Sequence, residues 1–516
     1  MSNPGAVAAG HNKTAEAAAI ILENGGNAFD AIIAAQFAAC VAEPVLSSLG
    51  GGAALIAKPQ NSNPRVYDFF VSTPQQRFAD QEQFFPITAD FGTTEQEFHI
   101  GLGAAATPGL VKGLFAIHRD LATMPMGELL QPAITLARQG VTVNAMQAYI
   151  FSIVAPIYLQ DSSSREIFCK SQNDNQLLEN GDKLFQSDLA NTLERLAVEG
   201  EALFYEGELA YEIETQCKQQ GGHLRRADLE HYRVETRTPL QLNYHQHRIW
   251  SNPPPSSGGT LIEFALAILR QHQFSEQPWG NSEHLSALAH TMATTQHARL
   301  MEKVDGSDAQ QLRNLLSDDC IARYQALFQK RFLARRGTTH ISVIDHDLNV
   351  ASMTASNGEG CGYIIPGTGV MLNNMLGEQD LNPFGFQRWP FKQRLSTMMA
   401  PSIIETPAKG VIALGSGGSN RLRTAILQTI INIADFKMGL DDAVEAPRMH
   451  FEDEVLHLEN GFSEQPLTAL EKDFSCQRWQ ERNLYFGGVH AVSHAAGEFT
   501  AKGDPRRDGH AIVVSG

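Results

Sequence analysis

Between Arg335 and Ser356 the chain reads RRGTTHISVIDHDLNVASMTAS, and no other run limits the local fold as tightly. From Thr338 to Asp345 it alternates with period two. Thr338, His340, Ser342 and Ile344 share one face, and Thr339, Ile341, Val343 and Asp345 share the other. Asp-His-Asp-Leu-Asn then offers a turn, and a second strand-like run covers 350–356. The pattern predicts a β-hairpin. A turn centred on Asp347 sets Thr338 opposite Ser356 and His340 opposite Thr354, within cross-strand reach. Two facing hydroxyls at a strand start suit either a half-wet sheet face or a nucleophile with a hydroxyl partner.

The 516 residues are enough for a large core, and length alone suggests about three domains. With 43% hydrophobic and 19% charged residues the chain is globular rather than disordered. A net charge of -17 with no Lys/Arg-rich run excludes a nucleic-acid partner. Six cysteines lie far apart with no CxxC pair, the usage of reduced thiols in a cytoplasm. No signal peptide and no transmembrane run of about 18 apolar residues is evident, so the expected location is cytoplasmic, without a membrane partner.

Along the chain, HNKTAEAAAIILENGG reads as a helix capped by Asn12 or Thr14 and stopped at Gly25-Gly26. An Ala-rich second helix runs from about Phe29 to Ala42, and small side chains let this pair pack closely. A glycine turn leads from SSLGGG into a strand. The helical 3.6 period returns in MPMGELLQPAITLARQG, in the stretch broken at Gly200, Gly207 and Gly221-Gly222, and in GTLIEFALAILRQHQF. RTPLQLNYHQHRIWSNPPP is strand-like. After Arg336 short β segments dominate, at 338–356, 361–374, 399–406, 410–415 and 509–515, with one helix from about Arg421 to Met438. A helix-rich first part and a strand-rich last third predict packed sheets with helices outside.

Several chemistries find no support. There is no GxSxG elbow and no GxxxxGK[ST] loop. His284, His290 and His297 share one predicted helix, but without HExxH or an i,i+4 pair they make no zinc site, and no metal is expected. ALGSGGSNR (413–421) is different: it follows an apolar strand and precedes a helix. Its Gly417 and Gly418 offer unobstructed N–H groups at a helix N-terminus, suited to a developing oxyanion, or else make a plain strand-to-helix turn. PPPSSGGT (253–260) reads as a structural corner.

Taken in order, ENGGNAFDA, LGGGAAL, ATPGLVKGL, MPMGELLQPAITLARQG, NPPPSSGGTLIE, TTHISVID, GVMLNNM, RLSTMMAPSII, GSGGSNR and GDPRRDG resemble the γ-glutamyltranspeptidases (glutathione hydrolases), N-terminal-nucleophile hydrolases. The resemblance covers nearly the whole chain. It implies an α+β fold, a four-layer αββα sandwich. It implies a precursor that cuts itself between Gly337 and Thr338 into fragments 1–337 and 338–516, which stay associated. Thr338 is then the nucleophile, and its freed α-amine, with an unperturbed pKa near 8, is the base a weak hydroxyl nucleophile needs. Ser356 matches a threonine that hydrogen-bonds the nucleophile, keeping the hydroxyl without the methyl. Gly417 and Gly418 match oxyanion-hole glycines. Ser396 and Thr397 match a serine pair that contacts the substrate carboxylate. Asn374 lies in the matching LNN strand, and Glu378 is the nearest match to the acidic residue that holds the substrate α-amine. No cofactor is required.

The departures concern the substrate. Where the family carries the arginine that grips the α-carboxylate, YDFFVSTP puts Phe70, which cannot make a charge-assisted bidentate contact. Arg65, Arg77 and Arg394 are the candidate replacements. The loop between Glu378 and Ser396 is short, implying an open cleft. Cys361 reads as a packed thiol. The resemblance implies a threonine amidase or acyltransferase acting on a small γ-glutamyl amide such as glutathione, with hydrolysis outweighing transfer to an amine. Phe70 keeps open an acylase acting on glutaryl-type amides, and a non-catalytic binding protein on the same scaffold is the third reading.

Overall fold

In the computed structural model, residues 4–78, 83–90, 95–171, 175–270, 272, 274–302, 304, 309–327, 338–382 and 385–516 are described. Gly337 lies outside them. The strands that matter for the site are β1 (Gly5–Ala9), β2 (Gly52–Lys58), β3 (Arg65–Phe69), β4 (Glu235–Arg237), β5 (Leu240–Tyr244), β6 (His247–Ser251), β7 (Thr339–Asp345), β8 (Val350–Ser356), β9 (Ser402–Glu405), β10 (Val411–Gly417), β11 (Gly488–Ala495), β12 (Glu498–Lys502) and β13 (His510–Val514). The helices are α1 (Asn12–Glu23), α2 (Ala28–Ala42), α3 (Leu110–Leu121), α4 (Met126–Gln139), α5 (Ser257–Leu269), α6 (Ser282–Met301) and α7 (Asn420–Ala434).

Two antiparallel sheets result. One has the order β13-β1-β7-β8-β2-β3-β4, the other β12-β11-β10-β9-β6-β5. They pack face to face through β1, β7 and β8 against β10 and β11. Helices α1 to α3 cover the outer face of the first sheet, with α4 on α2, while α5 and α7 cover the second, with α6 on α5. This is the four-layer αββα sandwich.

The layers follow from the residue pattern. Every residue of α2 is buried, because its alanines let α1, α4 and the first sheet all approach closely. Its N-terminus carries a capping box, in which the Asn27 side chain accepts from Asp30 N–H and Asp30 accepts from Asn27 N–H. On β7 the two-residue period divides the core. Ile341 and Val343 join the helix-side cluster, while Ile344 joins Ala6, Ala8, Ile56, Trp250 and Ile403 between the sheets.

The structure corrects some local expectations. His11, not Asn12 or Thr14, is the N-cap of α1, because the Thr14 hydroxyl is used by the buried Glu43 carboxylate at 2.7 Å. The segment 361–374 holds only two short paired pieces, Ile364–Ile365 and Val370–Met371. The last third also contains strands the period did not reveal, among them β11, β12 and a small sheet built on Met449–Glu452, Val455–Leu458 and Ser475–Arg478. No helix among the described residues is long and apolar enough to cross a membrane. None of the six cysteines, all among the described residues, is in a disulfide, and five are buried.

Candidate active site

The β7–β8 hairpin has the expected register, with His340 opposite Thr354 and Thr339 opposite Ala355. One step further along that register lie Thr338 and Ser356, both about 5% exposed. β8 pairs in turn with β2, where Ser356 faces Gly52. Thr338 therefore stands at the end of a central strand, at the edge of the layer between the sheets.

The residues behind it are fixed on both faces. On the inter-sheet face His340 Nδ1 lies 2.8 Å from Thr354 Oγ1 and Nε2 lies 2.9 Å from Ser342 Oγ. Burial, with His490 nearby, holds this imidazole well below its usual pKa, so it is neutral. On the helix face Thr339 Oγ1 donates to Glu43 Oε2 at 2.7 Å. Burial raises the Glu43 carboxyl above the usual range, while the hydroxyls of Thr339 and Thr14 and the Arg507 charge oppose that rise.

The glycine turn after β10 abuts the start of β7. A Cβ added to Gly417 would stand 1.9 Å from the Thr338 carbonyl oxygen, so only hydrogen fits there. Gly418 has φ +112°, a left-handed conformation, and a Cβ on it would meet Gly487 Cα at 2.9 Å. Ser419, with φ 55°, stands at the N-cap position of α7 without a side-chain capping bond. In the first turn of α7, Arg421 N–H donates to Gly418 O at 3.0 Å and Leu422 N–H to Ser419 O at 3.2 Å, so the positive end of the helix backs the glycine turn. Arg507 stands over this junction, donating from Nη1 to the Thr338 carbonyl at 3.3 Å and from Nη2 to Leu484 O at 3.4 Å.

On the other side of the hairpin, Gly358 N–H donates to Ser356 Oγ at 2.9 Å. A Cβ on Gly358 would stand 2.0 Å from Asn374 Oδ1 and 2.4 Å from Glu378 Oε1. Ser356, Asn374 and Glu378 are thus gathered around one glycine. Asn374 Oδ1 also accepts from Glu359 N–H at 3.0 Å. Ser396 is half-buried. Thr397 is buried, and its carbonyl accepts from Ser256 Oγ at 2.8 Å and Ser257 N–H at 3.0 Å. The PPPSSGGT corner at the start of α5 therefore carries the Ser396-Thr397 segment.

The candidate carboxylate anchors resolve differently. Phe70 is 1% exposed and packs with Val71, Ala106, Met375, Leu376 and Trp389. Arg394 is half-buried beside it, but its Nε pairs with Asp68 Oδ1 at 3.2 Å, Nη1 donates to Tyr232 Oη and the Phe70 carbonyl, and Nη2 donates to Arg233 O at 2.6 Å. It is a structural cation. Arg65 and Arg77 are exposed. The buried arginines at the site are Arg421 and Arg507, at the ends of the GSGGSNR and within the GDPRRDG motifs; the motifs marked the segments, and only tertiary packing brings these two together. Burial pushes the Cys361 thiol up to about 12, which leaves it protonated and unreactive at neutral pH. Among the described residues no group of three His, Cys, Asp or Glu is arranged to hold a metal ion.

Comparison with known proteins adds independent findings. The gamma-glutamyltranspeptidase family model matches residues 14–514. The Acylase ACY 1 proenzyme of Pseudomonas sp. (strain V22) is 30% identical over 99% of this chain and 94% of its own length. The glutathione hydrolase proenzyme of Escherichia coli (strain K12) is 29% identical over 87% of this chain and 82% of its own. Among solved structures, a cephalosporin acylase from Bacillus halodurans superposes over 100% of this chain and 96% of its own with a TM-score of 0.85; at 22% identity this is a likeness of fold. The Helicobacter pylori gamma-glutamyltranspeptidase covers 63% of this chain and 91% of its own with a TM-score of 0.55 and 28% identity.

Proposed function

This chain belongs to the gamma-glutamyltranspeptidase family, whose members are enzymes that act as hydrolases or acyltransferases, and from that premise we propose that it is an autoprocessed threonine amidase acting on γ-glutamyl amides such as glutathione. The observation that carries the reading is the closure of the Gly417–Gly418 turn onto the Thr338 carbonyl, with Ser356 opposite Thr338 across the hairpin.

Cleavage of the Gly337–Thr338 bond frees the Thr338 amine. The Thr338 hydroxyl oxygen attacks the substrate amide carbon while that amine takes the hydroxyl proton. The carbonyl oxygen gains the negative charge within reach of the N–H groups at Gly417 and Gly418. The C–N bond then breaks, the Thr338 ammonium returns the proton to the leaving amine, and an ester to Thr338 remains. Water, or an amine acceptor, attacks that ester with the same amine as base. Ser356 orients the nucleophile. The two fragments, 1–337 and 338–516, stay together because β7 and β8 lie between β1 and β2 of the first fragment.

Intact-mass analysis of the wild type beside Thr338→Ala tests this. Two wild-type fragments that break between Gly337 and Thr338, absent in the variant, with hydrolysis of a γ-glutamyl anilide only in the wild type, are the expected result. A single uncut, inactive wild-type chain refutes it.

A further inference from the structure

Phe70 removes the usual place for a carboxylate, and Arg394 is tied to Asp68, yet two other guanidiniums stand at the site. Arg421 and Arg507, 4% and 8% exposed, both line a recess of about 50 Å³, from which Arg507 reaches the Thr338 carbonyl. Its other walls are apolar, from Leu46, Ile150, Ile153 and Leu484, with Gly358 and Glu359 at one side. Both guanidiniums are under-satisfied. Arg421 Nε donates to Tyr485 O at 3.0 Å, but Nη1 makes no hydrogen bond and faces Glu452 only at 3.9 Å. Arg507 makes two long bonds, and its Nε has no acceptor. Burial first, and repulsion from Arg421 second, lower Arg507 to about 10, so the two cations are close neighbours. The Asp504 and Glu43 carboxylates offset part of the Arg507 charge, but Arg421 Nη1 and Arg507 Nε remain buried without acceptors, a cost that a bound anion would relieve.

We propose that Arg421 and Arg507 form the carboxylate subsite of this enzyme, taking the α-carboxylate of a γ-glutamyl group in place of the anchor lost at Phe70. The methylenes of the acyl chain lie on the apolar wall, and Glu359, which lines the same recess next to Gly358, takes the α-ammonium in place of Glu378, which packs behind Gly358 and does not line it. The inference rests on the amidase reading above and names the substrate contact that reading leaves open.

The test uses three anilides on the processed enzyme: γ-glutamyl, glutaryl (no amine) and 4-aminobutanoyl (no carboxylate). The wild type should favour the two carboxylate-bearing substrates by about 10- to 100-fold in kcat/KM, the worth of one or two charge-assisted hydrogen bonds. Arg421→Gln should collapse that ratio, mainly through KM, and Arg421→Lys should restore part of it. A preference that persists in Arg421→Gln overturns the proposal, as does a wild type that ignores the carboxylate. Calorimetric titration with free glutarate, on wild type and Arg421→Gln, reads the subsite without chemistry. Binding lost in the variant supports the subsite even if no anilide is cleaved, a result that would sink the amidase reading alone. No glutarate binding to the folded wild type overturns the subsite, whatever the hydrolysis data.

Discussion

Gly417→Ala is the substitution through which the site geometry is most directly exposed to test. The new Cβ would stand 1.9 Å from the Thr338 carbonyl oxygen, whereas real Cβ atoms keep at least about 3.0 Å from backbone. Either the glycine turn or the strand led by Thr338 must therefore move by about 1 Å. β7 cannot yield easily, because it is paired on both edges and held by His340 on one face and Glu43 on the other. A shift of that size between a nucleophile and its oxyanion donors costs about 10²-fold in rate, and loss of one donor costs about 10²- to 10³-fold. Overpacking adds about 1–3 kcal/mol of instability. The assay is kcat/KM on a γ-glutamyl anilide, corrected for the cleaved fraction by intact mass. Gly127→Ala is the control: this exposed glycine sits in α4 with nothing within 4 Å of an added Cβ, and the change should stabilise by up to about 1 kcal/mol at unchanged activity. A Gly417→Ala enzyme within about 3-fold of wild type, against the 10²-fold expected, would refute the placement of the turn as the oxyanion site.

Ser356→Ala should lower kcat by at least about 10-fold, since it removes the hydroxyl opposite Thr338 and leaves Gly358 N–H without its acceptor, while Ser356→Thr should retain activity; equal rates for the two variants would count against an orienting role. Arg394→Met should cost about 3 kcal/mol in denaturant melts by stranding the buried Asp68 carboxylate with Arg237 alone, with no selective loss of carboxylate-bearing substrates; a selective loss would reinstate it as the anchor. His284, His450 and His490 are held by burial at about 4, below the ordinary imidazole value. Over the window from the unfolded value near 6.5 down to about 4 only the unfolded chain takes up these protons, so stability is full above the window and falls by about 1.4 kcal/mol per pH unit per histidine as pH drops through it. Urea unfolding at several pH values should show that slope, and a stability independent of pH across the window would contradict neutral burial. Glu43→Gln removes an opposite dependence: its raised carboxyl costs stability as pH rises above the usual carboxylate range, so the variant should gain on the wild type with increasing pH.

Residue order alone specifies what is local and periodic. The alternation from Thr338 to Asp345 and the turn around Asp347 were sufficient for the hairpin, because a one-residue slip would send His340 and Ile341 to the wrong faces. The strand-Gly-Gly-helix pattern marked Gly417 and Gly418, because only glycine lets backbone approach backbone so closely. Tertiary structure decided the rest wherever a residue's role depends on a distant partner. Thr14 could have capped α1 but serves Glu43 instead, twenty-nine residues away in the chain. Three arginines were equal candidates for the missing anchor until Asp68 and the carbonyls around it claimed Arg394 and solvent claimed Arg65 and Arg77. Arg421 and Arg507 meet only because α7 and the 504–509 turn converge on the start of β7. Periodicity records which face a side chain takes; which charges share a buried volume is settled by packing, where desolvation makes each cation's neighbours count.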